Sequence, residues 1–110
     1  MFDIITIFPQ IFDSYLNESI IKRAREKKLA DIRVHDLRKF SRNKHKKVDD
    51  RPYGGGPGMV LKIEPLVRAL GSILRSKKQE ARIKYALIIL FSSSGKQFDA
   101  KMARDFAKKY

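Results

Sequence analysis

The sequence contains no cysteine, which excludes disulfides and thiolate metal sites. It has only two histidines, His35 and His45, and neither stands in metal-ligand spacing. Acidic residues are few: 12 Asp and Glu against 25 Lys and Arg, a formal net charge of +13. Long apolar stretches are missing too. The longest, Tyr85 to Phe91, is far shorter than the ~20 residues that cross a bilayer, so no membrane association is expected. The chain opens on strand-like Phe2-Asp3-Ile4-Ile5-Thr6-Ile7-Phe8 without the basic region of a signal peptide, and a cytoplasmic location is the expectation. A length of 110 residues suits one compact domain with a real core, and neither an internal repeat nor a boundary signal divides it.

What is abundant is positive charge, and it is unevenly placed. Residues 22–47 hold twelve Lys and Arg against Glu26, Asp31 and Asp36, a local excess of +9. Such a block favours a polyanion, because each phosphate neutralised releases condensed counterions. A solvated face of a basic protein is the plainer alternative.

Residues 2–8 read as a buried strand, short and rich in Ile and Phe. Pro9 suits the first turn of a helix carrying Phe12, Tyr15 and Leu16 on one stripe. A second short helix over Ser19 to Lys28, with Ser19 as N-cap, would bury Ile20, Ile21 and Ala24. Asp31 to Leu37 alternates and reads as a second strand. Residues 38–58 look irregular, and a loop of ~20 residues in a compact domain is usually functional or disordered. A short strand is expected over Met59 to Ile63. Then comes a helix opened by Glu64-Pro65, with Leu66, Val67, Leu70, Ile73 and Leu74 on one face. Arg75 to Arg82 reads as a charged turn. Lys84 to Phe91 reads as a strand buried on both faces, and Phe98, Met102 and Phe106 mark a last helix. The order β-α-α-β-loop-(β)-α-β-α argues an α/β fold with a mainly parallel sheet flanked by helices.

Three constellations could carry chemistry. In Arg51-Pro52-Tyr53-Gly54-Gly55-Gly56-Pro57-Gly58, four of the six glycines of the chain fall within five positions. Glycine allows close backbone approach to a ligand, and Pro52 and Pro57 stiffen the segment. With Asp49, Asp50, Arg51 and Tyr53 beside it, the loop suits a base or a phosphate. It lacks the Gly-Lys-Ser/Thr ending of a Walker A loop, and a structural turn is its bland alternative. The second constellation is Ser92-Ser93-Ser94-Gly95, which follows the apolar strand where ligands of open α/β sheets bind; its hydroxyls and amides could hold an adenosine or a carboxylate, or simply form a turn. The third is Arg38 to Lys47, in which Phe40 and His45 could stack on bases while cations meet phosphates, or which could be a mobile surface loop.

The string Lys44-His45-Lys46-Lys47-Val48-Asp49-Asp50-Arg51-Pro52-Tyr53-Gly54-Gly55-Gly56-Pro57-Gly58-Met59 resembles the signature of bacterial tRNA (guanine-N1)-methyltransferases, of the knotted SPOUT superfamily. Ile4-Ile5-Thr6-Ile7-Phe8-Pro9 and Leu87-Ile88-Ile89-Leu90-Phe91-Ser92 resemble that family as well. The resemblance implies methyl transfer from S-adenosyl-L-methionine to N1 of the tRNA guanine 3′ of the anticodon, by a homodimer. It places Lys44, His45, Asp50, Arg51, Tyr53 and Gly54 to Gly58 at the tRNA, and Leu90, Ser92, Ser93, Ser94 and Gly95 at the first of three cofactor loops. On resemblance alone it also admits Mg2+. The family's usual Ser-Pro-Gln-Gly is Ser92-Ser93-Ser94-Gly95 here, so proline and glutamine are replaced. The family enzyme is about twice as long. The resemblance therefore implies one partial methyltransferase domain over 1–110, with the rest of the knot, the tRNA-binding domain and its catalytic aspartate beyond it, and no catalytic residue in this chain. A non-catalytic basic RNA-binding module or an inactive fragment is the alternative.

Overall fold

The computed structural model describes residues 1–79 and 86–110. They form two compact units, Met1–Ile73 and Leu74–Tyr110.

The first unit is built on a parallel pair of strands, β1 (Phe2–Thr6) and β2 (Ile32–Asp36), in register Phe2↔Ile32, Ile4↔Val34 and Thr6↔Asp36. Parallel neighbours need a crossover. It is supplied by a 3-10 turn at Pro9–Phe12, with proline at its start as expected, then α1 (Asp13–Leu16) and α2 (Ser19–Glu26). Arg25 joins the two helices, its guanidinium donating to the Leu16 carbonyl at 2.8 Å and to Asn17 Oδ1 at 3.0 Å. Across the strands His35 Nε2 lies 2.8 Å from Asp3 Oδ1.

Three expectations about this half need correction. β1 is not buried: Phe2 is 64% exposed and the rest of the strand half-buried, because β2 is its only ladder neighbour among the described residues. Ser19 does not cap α2. A cap residue needs extended backbone, which Glu18 has (ψ 154°) and Ser19, at φ +50°, does not. Nor does α2 bury Ile20 or Ile21, which are 76% and 39% exposed; Ala24 and Arg25 take its inner side.

Residues 38–58 are less irregular than the sequence suggests. Leu37–Phe40 is a 3-10 turn whose Arg38 amide donates to Asp36 Oδ1 at 2.9 Å. Asp49–Asp50 forms β3, paired antiparallel with β4 (Val60–Leu61) as Asp49↔Leu61 and Asp50↔Val60. The expected strand over 59–63 shrinks to Val60–Leu61 because α3 (Ile63–Gln79) already begins at Ile63. Leu37, Val48 and Ala69 are the centre of the core, with Ile5, Ile7, Phe40 and Leu66 packed around them. The packed side of α3 is the i, i+4, i+8 row Pro65, Ala69 and Ile73, and Val67, expected inside, is 61% exposed. Arg68 Nε donates to the Phe40 carbonyl at 2.7 Å, fixing α3 to the 3-10 turn.

The helical pattern runs on through Gln79, replacing the expected turn from Arg75; residues 80–82 lie outside the described residues. So do Lys84 and Tyr85 of the expected apolar strand. Its remainder, Ala86 to Phe91, has no ladder and is exposed, Leu90 at 84% and Phe91 at 86%. A strand exists only by pairing, and no partner for this one is found among the described residues. The last helix forms as expected: α4 (Ala100–Lys109) is capped by Asp99, whose Oδ1 accepts from the Met102 amide at 2.7 Å. The Phe98 and Phe106 rings lie 6.1 Å apart, and Phe106 meets Tyr110 edge-on at 6.2 Å.

Candidate functional site

The glycine-rich loop is the excursion between β3 and β4. Its base is closed by the two ladder pairs and by the Lys62 amide, which donates to the carbonyl of fully buried Val48 at 2.8 Å. At the loop's start the Gly55 amide donates to the Pro52 carbonyl at 3.1 Å. Gly54, Gly55, Gly56 and Gly58 have φ of +82°, +84°, +108° and +91°, and a Cβ on any of them would meet nothing within 4 Å. The glycines are thus required by backbone conformation and not by crowding. The loop projects into open space, and Tyr53 on it is 94% exposed.

Beside the loop's base lies a cavity of about 160 Å³ lined by Asp50, Arg51, Tyr53 and Val60 to Glu64. Asp50 is its most constrained charge. Oδ1 accepts from the Arg51 amide at 2.9 Å, and Oδ2 pairs with Lys62 Nζ at 3.1 Å. The Arg51 N–H, then the hydrogen bond and charge of Lys62, and last the charge of Lys47 hold the Asp50 carboxyl below the ordinary aspartate value. An ionised Asp50 at neutral pH orients hydrogen bonds and is a poor proton donor. The cavity combines an exposed aromatic ring, two cations and two carboxylates, a set that suits a nucleotide's base and phosphate.

The structure brings Asp50, Arg51 and Tyr53 to one cavity. Lys44, His45 and the run Gly54 to Gly58 lie outside its lining. Lys62, Ile63 and Glu64 line it and were not anticipated; reading Asp49-Asp50 and Val60-Leu61 as the two arms of a hairpin would have found them. Lys44 and His45 sit on a short closed turn. Ser41 Oγ donates to the Lys47 carbonyl at 2.7 Å, and the His45 amide donates to Asn43 Oδ1 at 2.8 Å.

In the second unit, Ser92 to Gly95 is a tight turn. The Gly95 amide donates to the Ser92 carbonyl at 3.1 Å, and the Ser92 and Ser94 hydroxyls pair at 3.0 Å. A Cβ on Gly95 would come within 3.2 Å of that carbonyl, so a side chain there would require a shift of a few tenths of an ångström. Leu90 and all four turn residues are exposed. Exposed hydroxyls of this kind can both donate and accept, which fits a ribose or a carboxylate. Among the described residues no group of three or more His, Cys, Asp or Glu is placed to hold a metal ion, so the geometry lends Mg2+ no support. Nor is any described helix long and apolar enough to cross a membrane.

The family model described as tRNA (Guanine-1)-methyltransferase TrmD matches residues 1–110. A tRNA (guanine-N(1)-)-methyltransferase of Geobacter metallireducens is 47% identical over 107 residues, covering 97% of this chain and 41% of that protein. One from Enterococcus faecalis is 43% identical, covering 96% and 42%. The chain thus spans about two fifths of the length of these relatives. The crystal structure of tRNA (m1G37) methyltransferase from Aquifex aeolicus is similar, with a TM-score of 0.63 and 41% identity over 68% of this chain and 34% of that one. The chain belongs to the tRNA (guanine-1)-methyltransferase TrmD family.

Proposed function

We propose that this chain is the N-terminal part of an enzyme that transfers a methyl group from S-adenosyl-L-methionine to N1 of the tRNA guanine 3′ of the anticodon. The observation that carries the proposal is the glycine loop, held at positive φ between β3 and β4 beside a cavity containing Arg51, Tyr53 and Lys62. Within it, Arg51, Lys44 and the loop's backbone amides would meet the tRNA, Tyr53 and His45 would stack on bases, and Gly54 to Gly58 would let the backbone approach the target. Leu90 and Ser92 to Gly95 would be one wall of the cofactor pocket.

Adenosylmethionine, when bound, supplies an electrophilic methyl group. Neutral guanine holds a proton on N1, so a base must take that proton as the new bond forms. Asp50 is engaged by Arg51 and Lys62 and is given a positioning role. The base would come from a C-terminal domain, which completes the knotted SPOUT fold and contributes across a homodimer in the cytoplasm.

Calorimetric titration with adenosylmethionine, with and without tRNA, tests this reading. Weak cofactor binding that tRNA strengthens is expected, together with no methyl transfer by the 110-residue chain alone. Steeply salt-dependent tRNA binding that adenosylmethionine never affects would favour a non-catalytic RNA-binding module instead.

A further inference from the structure

Left-handed backbone is natural to glycine and costly to residues with a side chain. Apart from glycines, three described residues adopt it: Ser19 at φ +50°, Lys28 at +56° and Lys46 at +51°. Ser19 stands at the entrance of α2, and nothing in the structure explains its conformation. The other two are lysines of the basic block.

Lys28 lies just past α2. Its amide donates to the Arg25 carbonyl at 2.9 Å, and the Leu29 amide to the Ala24 carbonyl at 2.8 Å. This closing turn is where helices usually place glycine. Lys46 closes the turn from Asn43, its amide donating to the Asn43 carbonyl at 2.9 Å. Both side chains are exposed. Neither ammonium takes part in the ion pairs found among the described residues, which include Arg33–Asp31, His35–Asp3 and Lys62–Asp50. At both positions the backbone is suited to glycine, and among the described residues the lysine head makes no ion pair that would stabilise the fold in return.

We propose that Lys28 and Lys46 are phosphate contacts for RNA, cations kept at glycine-type turns because a polyanion uses them. The inference rests on the tRNA reading above and extends it to Lys28, outside the glycine-loop site. The two lysines sit on closed turns, so their Cα positions are fixed before binding and each ammonium loses only side-chain freedom.

The test measures the affinity of the chain for an unmodified tRNA by fluorescence anisotropy between about 50 and 200 mM salt. Lys28→Gly and Lys46→Gly should each flatten the slope of log K against log salt by about 0.7–0.9, which is about a 5- to 8-fold loss at 0.1 M salt. Their melting temperatures should equal or exceed that of the unsubstituted chain, and Lys28→Arg should retain its affinity. Unchanged affinity and slope in both glycine variants would overturn the inference while leaving the tRNA reading intact. A lowered melting temperature accompanying the loss would show that the lysines serve folding and would overturn it too. Failure of the unsubstituted chain to bind tRNA, or preference for anionic vesicles over tRNA, would remove the tRNA reading and the inference with it.

Discussion

Replacing Gly55 by valine separates the loop's conformation from the core's packing. A Cβ at Gly55 meets nothing within 4 Å, so the new Cβ itself is not crowded. What it changes is backbone energy. Gly55 sits at φ +84°, and an L-residue held in the left-handed region costs about 1–2 kcal/mol, with valine toward the upper end because its branched Cβ crowds the backbone. For a domain of ~100 residues each kcal/mol is worth roughly 4–8 °C in Tm. If the loop keeps its shape, Tm should fall by roughly 8–16 °C; if the exposed loop relaxes, Tm changes little and the loop's shape is lost instead. Either way Leu37, Val48 and Ala69 keep their contacts, and the chain stays folded at ambient temperature. Leu37→Ala, in the core, should cost ~2–5 kcal/mol. Circular dichroism melts and tRNA titration of Gly55→Val read both effects. Folded secondary structure with weakened tRNA binding is expected. A broadly unfolded variant would show that the loop serves the fold, and a variant with unchanged Tm and unchanged tRNA affinity would refute the assignment of this loop to the site.

Gly71 is the contrasting glycine: it lies inside α3, not at positive φ, and a Cβ there also meets nothing within 4 Å, so Gly71→Ala should raise stability by about 0.5–1 kcal/mol in a denaturant melt. Arg68→Met removes the hydrogen bond to the Phe40 carbonyl and should cost about 1.5–3 kcal/mol in the same assay; a change near zero would show that the bond is replaced by water. Because the Asp50 carboxyl is held below its ordinary value in the folded state, its stabilising effect is present above ~3.9 and is lost as pH falls through the lower folded value. An NMR titration of Asp50 should therefore show a midpoint below ~3.9, and Lys62→Met should move it upward. Ile88, 61% exposed in a segment without a ladder, should accept lysine with a stability change within ~0.5 kcal/mol, while sedimentation shows less self-association.

Elements whose signal is local were legible in the sequence. Pro9 marked the turn after β1, the Phe98–Met102–Phe106 spacing marked α4 while its Asp99 cap went unread, and Ile32–Asp36 paired in parallel with β1 as an α/β order requires. Burial was less legible, because it depends on neighbours. Ile20, Ile21 and Val67 are apolar and on helices yet face outward, while Ala69, unremarkable in sequence, and Pro65, read only as a helix opener, are fully packed. The two-residue arms β3 and β4 could not be read from periodicity, since two residues carry no period. Their pairing is nonetheless what gathers Lys62 and Glu64 beside Asp50 and Arg51. The glycine loop was legible because its signal is chemical and dense, and four positive φ angles account for that density.

The hairpin that carries the loop also sets its timescale. Among the described residues, two ladder pairs, one amide bond to Val48 and one exposed ion pair close its mouth. Opening such a short ladder disrupts far less than global unfolding does, so the amides of Val60 and Asp50 should exchange with solvent much sooner than those of Ile4 or Val34 in the parallel pair. Val48 behind it is fully buried and stays put when the ladder opens. The loop is then expected to hinge on a fixed post: shaped at rest by its glycines, and free to open without disturbing the core. Under the proposed tRNA reading, a rim that admits a bulky nucleic acid and closes on one base would use that kind of cheap, reversible opening.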